Sequence, residues 1–72
     1  MAVLKVIELV GTSPNSWEEA AKNAVDKAAE TVRGIVGADV VGQNVVVANG
    51  AITEYRVDIK AAFIVEGGVE EE

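Results

Sequence analysis

The chain has no cysteine and no histidine. Without cysteine there is no disulfide, no thiolate metal site and no sulfur nucleophile. Without histidine the commonest general base, the serine-type triad and the commonest zinc ligand are gone. Aromatic side chains amount to one Trp, one Tyr and one Phe, and there is a single Pro. No apolar run reaches the ~18 residues of a membrane-spanning helix. The opening M-A-V-L-K-V-I-E-L-V carries Lys5 and Glu8 inside its apolar run and lacks the basic start of a signal peptide, so a cytoplasmic location is expected. Cations are scarce: six Lys and Arg face twelve Asp and Glu, a formal net charge of −6. Such a surface repels nucleic acid and anionic membranes and is compatible with cations. Gly11-Thr12-Ser13 is not followed by the Gly-Lys-Ser/Thr of a phosphate loop. Nothing completes a catalytic constellation, and the chain reads as a non-enzyme.

What is present is apolar alternation. Half of the 72 residues are apolar, many of them Val and Ala. From Ala51 to Val65 the odd positions carry Tyr55, Val57, Ile59, Ala61 and Phe63, whereas the even ones carry Glu54, Arg56, Asp58 and Lys60. Period-two alternation specifies a strand with one buried and one polar face. At ~3.3 Å per residue this strand would be about 50 Å long, far beyond the usual 5–6 residues. A domain this small has no use for such a strand within its own core, so partners are expected.

Three further elements precede it. Val3 to Val10 reads as a strand, with Lys5 and Glu8 on opposite faces. Gly11 to Asn15 reads as a tight loop. Ser16-Trp17-Glu18-Glu19 matches a capping box, in which the Ser16 hydroxyl accepts from the Glu19 amide and the Glu19 carboxylate reaches back to the Ser16 amide. A helix is expected from Trp17 to about Ile35, its slim stripe running through Ala20, Ala24, Ala28, Val32 and Ile35. Gly34 and Gly37 are its stop signals. Ala38 to Val47 reads as a second strand, bent at Gly42-Gln43-Asn44, and Ala48-Asn49-Gly50 as a hairpin turn. The result is an α+β subunit of order β-α-β-β. Keeping every pairing antiparallel places the third strand in the middle of a three-stranded sheet, order 1-3-2. One domain spans residues 1–66, and 67–72 form an acidic tail that is expected to fray.

The segments K-V-I-E-L-V-G-T-S-P (Lys5 to Pro14), S-W-E-E-A-A-K-N-A-V (Ser16 to Val25) and E-Y-R-V-D-I-K-A-A-F (Glu54 to Phe63) together resemble the dodecin family over nearly the whole chain. The resemblance implies a hollow homododecamer in which each sheet curls around its helix and long strands serve contacts between subunits. It also implies a small-ligand binding or storage role. Flavin-binding dodecins carry a Trp at the start of strand two and a Gln after the Tyr of strand three; the corresponding positions here are Gly37 and Arg56. Gly37 has no ring to stack on an isoalloxazine, and Arg56 donates hydrogen bonds but accepts none. Flavin is therefore not the expected ligand. The chain looks more like the flavin-independent branch that includes calcium dodecins. Two alternatives stay open: a flavin dodecin that stores or sequesters riboflavin or FMN on a relocated aromatic, and a structural assembly without cargo.

Each candidate residue also has a plain reading. Gly37 reads most simply as a helix-terminating glycine. Arg56 belongs to the polar ladder Glu54–Arg56–Asp58–Lys60, where burial in an oligomer would demand a partner. Trp17, at the first helical position, reads as a packing residue or subunit contact. The oxygen-rich run Thr12, Ser13, Asn15, Ser16, Glu18 and Glu19 offers hard ligands. It sits, however, at a helix N-terminus, whose free amides disfavour a cation. Loop and cap is the better reading of that run; a Ca²⁺ site assembled between subunits from Glu8, Asp39 or Asp58 stays open, and the sequence does not locate it.

Overall fold

The computed structural model describes residues 3–65. Its elements are β1 (Leu4–Ser13), α1 (Trp17–Ala29), β2 (Ile35–Ala48) and β3 (Ala51–Ile64). They form a three-stranded sheet of order β1-β3-β2 with both pairings antiparallel, the order expected from the sequence. The subunit is an elongated slab, 55 × 19 × 13 Å. The expected domain end at residue 66 and the expected tail at 67–72 both lie outside the described residues.

The helix lies across β1 and β3 and barely reaches β2. Its alanine stripe makes this possible. Ala20, Ala24 and Ala28 are buried against Val57, Ile59 and Ala61 of β3, with Ile7, Leu9, Ala21 and Val25 packed around them. The closest approach is at Gly11 of β1. A Cβ built there would stand 2.0 Å from the Ala20 carbonyl oxygen and 2.8 Å from the Ala24 Cβ. Glycine at this position lets the strand and the helix touch backbone to backbone.

Three boundaries differ from the sequence expectation. β1 continues through Gly11, Thr12 and Ser13, which pair with Val57, Arg56 and Tyr55 instead of forming a loop. The helix ends at Ala29 rather than near Ile35, although the three-four spacing of apolar residues continues. There the amides of Thr31 and Val32 both turn onto the Ala28 carbonyl. β-Branched Thr31 and Val32 are poor helix formers, and Gly34 adopts φ +76, closed to most other residues. The Gly34 carbonyl then accepts from the Ile64 amide at 3.1 Å, so the segment is drawn into the sheet. Consequently Gly37 lies inside β2, beside a register shift between Ile35 and Gly37, and does not end the helix. The expected bend is present as a second shift between Val40 and Gly42, with a third between Val46 and Val47. The hairpin turns on Asn49 (φ 53) and Gly50 (φ 77), both left-handed, as a two-residue primed turn requires.

Candidate functional site: the helix-free face of the sheet

Alternation along β3 points Val57, Ile59 and Ala61 at the helix and leaves Glu54, Arg56, Asp58 and Lys60 on the opposite face. The register extends this polar ladder across all three strands. Glu8 of β1 lies opposite Lys60, which lies opposite Asp39 of β2. In the next row Val10 faces Asp58, which faces Gly42. In the row after that Thr12 faces Arg56, which faces Asn44. Glu8, Asp58 and Asp39, far apart in sequence, thus share one face within two rows of register.

Glu8 and Asp58 are diagonal neighbours. Their carboxyl groups come within hydrogen-bonding reach, and the contact with Asp58, followed by the charge repulsion between the two, raises the Glu8 pKa above the usual 4.5, against the attraction of Lys60. A deprotonated carboxylate only accepts, so one member must hold a proton, meet a cation, or lack a donor. Asp58 Oδ1 is buried and has no hydrogen-bond partner among the described residues. Asp39 stands across Lys60 from Glu8. Among the described residues no three carboxylates gather into a metal-holding cluster. The three metal candidates therefore resolve into a pair, Glu8 with Asp58, and a separate Asp39. Ca²⁺ takes six to eight oxygens, so one subunit supplies part of such a shell.

The two positions that the family resemblance ties to flavin are separated on this face. Gly37 pairs with Ala62, whereas Arg56 lies six residues earlier on β3, about 20 Å along the strand at ~3.3 Å per residue. One ring cannot touch both within a single subunit. Gly37 is open, with nothing within 4 Å of where a Cβ would stand. Arg56 donates from Nε to Glu54 Oε2 at 2.8 Å and is half exposed.

On the helix side the structure shows two features absent from the sequence reading. Ser13, only 1% exposed, donates to the Glu19 carboxylate and accepts from the amides of Asn15 (2.9 Å) and Ser16 (3.3 Å). The Ser16 hydroxyl does cap the Glu19 amide at 3.0 Å. The return contact of the expected capping box is replaced, because the Glu19 carboxylate is taken by Ser13 and by Asn15 Nδ2. These donors pull the Glu19 pKa below its usual value, Ser13 most and Asn15 next. The second feature is an aromatic pair. Trp17 packs edge-on to Tyr55 with ring centroids 5.3 Å apart, and its indole N–H donates to the Asn44 carbonyl at 3.2 Å. Trp17 is thus a packing residue that ties the helix start to β2. The loop Gly11–Asn15, read as a unit, concealed the Ser13 contacts; a Ser two residues before an Asn, in a position to bond its amide, was the available signal.

A family model described as Dodecin matches residues 3–66. The calcium dodecin of Mycobacterium tuberculosis (strain ATCC 25618 / H37Rv) is 41% identical over 63 residues, 88% of this chain and 89% of the relative. The dodecin structure from Streptomyces coelicolor superposes with a TM-score of 0.89 at 30% identity, covering 93% of this chain and 96% of that one. The crystal structure of the M. tuberculosis calcium dodecin, described as a calcium-chelating antigen with a novel calcium-binding site, gives 0.79 at 38% identity over 96% and 99%. With the β-α-β-β order and the 1-3-2 sheet, these matches make the chain a member of the dodecin family, small binding proteins that are not enzymes.

Proposed function

We propose that this chain is the subunit of a cytoplasmic homododecamer that binds Ca²⁺, or another small ligand of the same site, and does not stack flavin. The observation that carries this reading is the Glu8–Asp58 pair, with a buried Asp58 oxygen that has no donor. A hard cation would satisfy both carboxylates, including the Asp58 oxygen that no donor reaches among the described residues. In an assembly, the open shell would be completed by oxygens of neighbouring copies or water. The likeness to a calcium dodecin points the same way. Against flavin stand the empty space at Gly37 and the commitment of Trp17 to Tyr55 and Asn44.

The test is isothermal titration of the purified assembly, its mass fixed by light scattering, with Ca²⁺, riboflavin and FMN. Saturable Ca²⁺ binding by a particle of twelve subunits is expected. Tight riboflavin binding with quenching of ring fluorescence would overturn the reading. A second reading, a scaffold without cargo, is favoured by the failure of any three carboxylates to converge among the described residues. It predicts the same melting temperature with and without EDTA, because only a ligand that binds the native state raises it.

A further inference from the structure

A groove opens on the other side of the molecule, where the segment leaving the helix crosses the end of the sheet. Its volume is about 680 Å³, and its lining includes Lys5, Val32, Arg33, Phe63, Ile64 and Val65. The floor is apolar and includes the chain's single Phe. Lys5 and Phe63 are register partners on β1 and β3, so the Lys5 side chain shares its face with the ring. Arg33 enters from the turn before Gly34. Three of the six cations, Lys22, Lys27 and Arg56, are ion-paired. Among the described residues neither Lys5 nor Arg33 has an ion-pair partner. The helix-end carbonyls of Lys27 and Ala28 are already engaged by the amides of Glu30, Thr31 and Val32, so they add little repulsion. In a chain of net charge −6, two cations that have no ion-pair partner among the described residues, beside an apolar floor, form a local site for negative charge.

We propose that this groove is a binding site for a small amphipathic anion, one carboxylate, sulfonate or phosphate head on an apolar chain or ring. The head lies between Lys5 and Arg33, and the apolar part covers Val32 and Phe63. Small-ligand pockets are of this size and character: ~300–1,000 Å³, mostly apolar, with a few converging polar groups. The site is on the helix side of the sheet and is independent of the carboxylates on the opposite face, so its failure leaves the Ca²⁺ reading standing.

The probe is octanoate, titrated into the assembled full-length protein by calorimetry and by displacement of anilinonaphthalene sulfonate, with 1-octanol as the neutral control. Saturable binding at one site per subunit is expected, with octanol at least tenfold weaker. Lys5→Gln and Arg33→Gln, both at exposed positions, should each weaken octanoate by roughly tenfold, the scale of one charge-assisted hydrogen bond, and leave the melting temperature in place. Lys27→Gln, away from the groove, should change nothing. Equal binding of octanol, or undiminished binding by the Lys5/Arg33 double variant, would overturn the proposal. So would octanoate binding that appears only when the chain is ended at residue 65, since the groove would then belong to the acidic residues that follow.

Discussion

Replacing Gly11 by Ala is the most demanding test of the packing between helix and sheet. The added methyl would stand 2.0 Å from the Ala20 carbonyl oxygen, 3.0 Å from its carbon and 2.8 Å from the Ala24 Cβ. Two of the three obstacles are helix backbone, so no side-chain rotation relieves them. The helix has to move off β1 by an ångström or more, which loosens Ala20 and Ala24 over Val57 and Ile59. Those residues are most of the buried core. Overpacking typically costs about 1–3 kcal/mol, and a backbone clash in so small a core belongs at the upper end, about 3 kcal/mol. For a domain of this size each kcal/mol shifts the melting temperature by roughly 4–8 °C, so a fall of about 12–24 °C is expected. The assay is thermal unfolding followed by circular dichroism at equal subunit concentration, since assembly makes melting concentration-dependent. Gly37→Ala and Gly42→Ala are the controls, because nothing lies within 4 Å of a Cβ at either site and neither has a positive φ. They should stay within about 1 kcal/mol of the parent. A Gly11→Ala protein that melts as high as Gly37→Ala would refute the close contact.

Ser13→Ala should cost about 1–3 kcal/mol, because it leaves the Asn15 and Ser16 amides without their acceptor; denaturant unfolding gives the value, and a change within error would show that water replaces the hydroxyl. Glu19 sets a pH dependence of known sign. Its folded pKa lies below the usual 4.5, so the stability it contributes is complete above that value and is lost as pH falls through the depressed one. Glu19→Gln should remove this part of the acid sensitivity, and parallel melting curves of parent and variant below about pH 5 would contradict it. Glu8 has the opposite sign: its raised pKa means that deprotonation beside Asp58 is unfavourable at neutral pH. Glu8→Gln should therefore raise the melting temperature in EDTA, by giving Asp58 Oδ1 a donor, and shrink the rise caused by Ca²⁺; a lower melting temperature in EDTA would contradict the pairing.

The strand order was legible because two local signals determine it: the Asn49-Gly50 turn makes β2 and β3 antiparallel, and the fifteen-residue alternation marks β3 as the strand with two partners. The helix start was legible at Ser16. Its end was not, because the spacing of Val32 and Ile35 continues the stripe while the sheet takes those residues through Gly34 and Ile64. Pairing partners far along the chain overrode a local periodicity, and Gly37 was misplaced as a result. On the helix-free face, alternation put Asp58 and Lys60 on one side. Only the register could bring Glu8 diagonal to Asp58 and set Asp39 across Lys60 from Glu8. The groove between Lys5 and Arg33 depends on where the chain leaves the helix, so it was beyond reach of a reading that carried the helix to Ile35.

The length of β3 becomes intelligible against what the subunit buries. Among the described residues six apolar side chains form its core, four of them alanine, and the largest fully buried side chains are Ile59, Val57 and Ser13. The 13-residue helix is about 20 Å long at ~1.5 Å per residue and spans only about six residues of strand, whereas β2 and β3 each run 14 residues. Val36, Val40, Val41, Val47 and Ile52 consequently remain more than half exposed. Surface of this kind, grouped along an edge strand and a protruding hairpin, marks an association face. Val36 and Val41 sit at the register shifts of β2, where the extra residue bends the strand and aims a side chain away from the subunit's own core. The bulges that weaken pairing inside one chain are thus placed to offer valines to another, which is the physical basis for expecting closed assembly of identical copies.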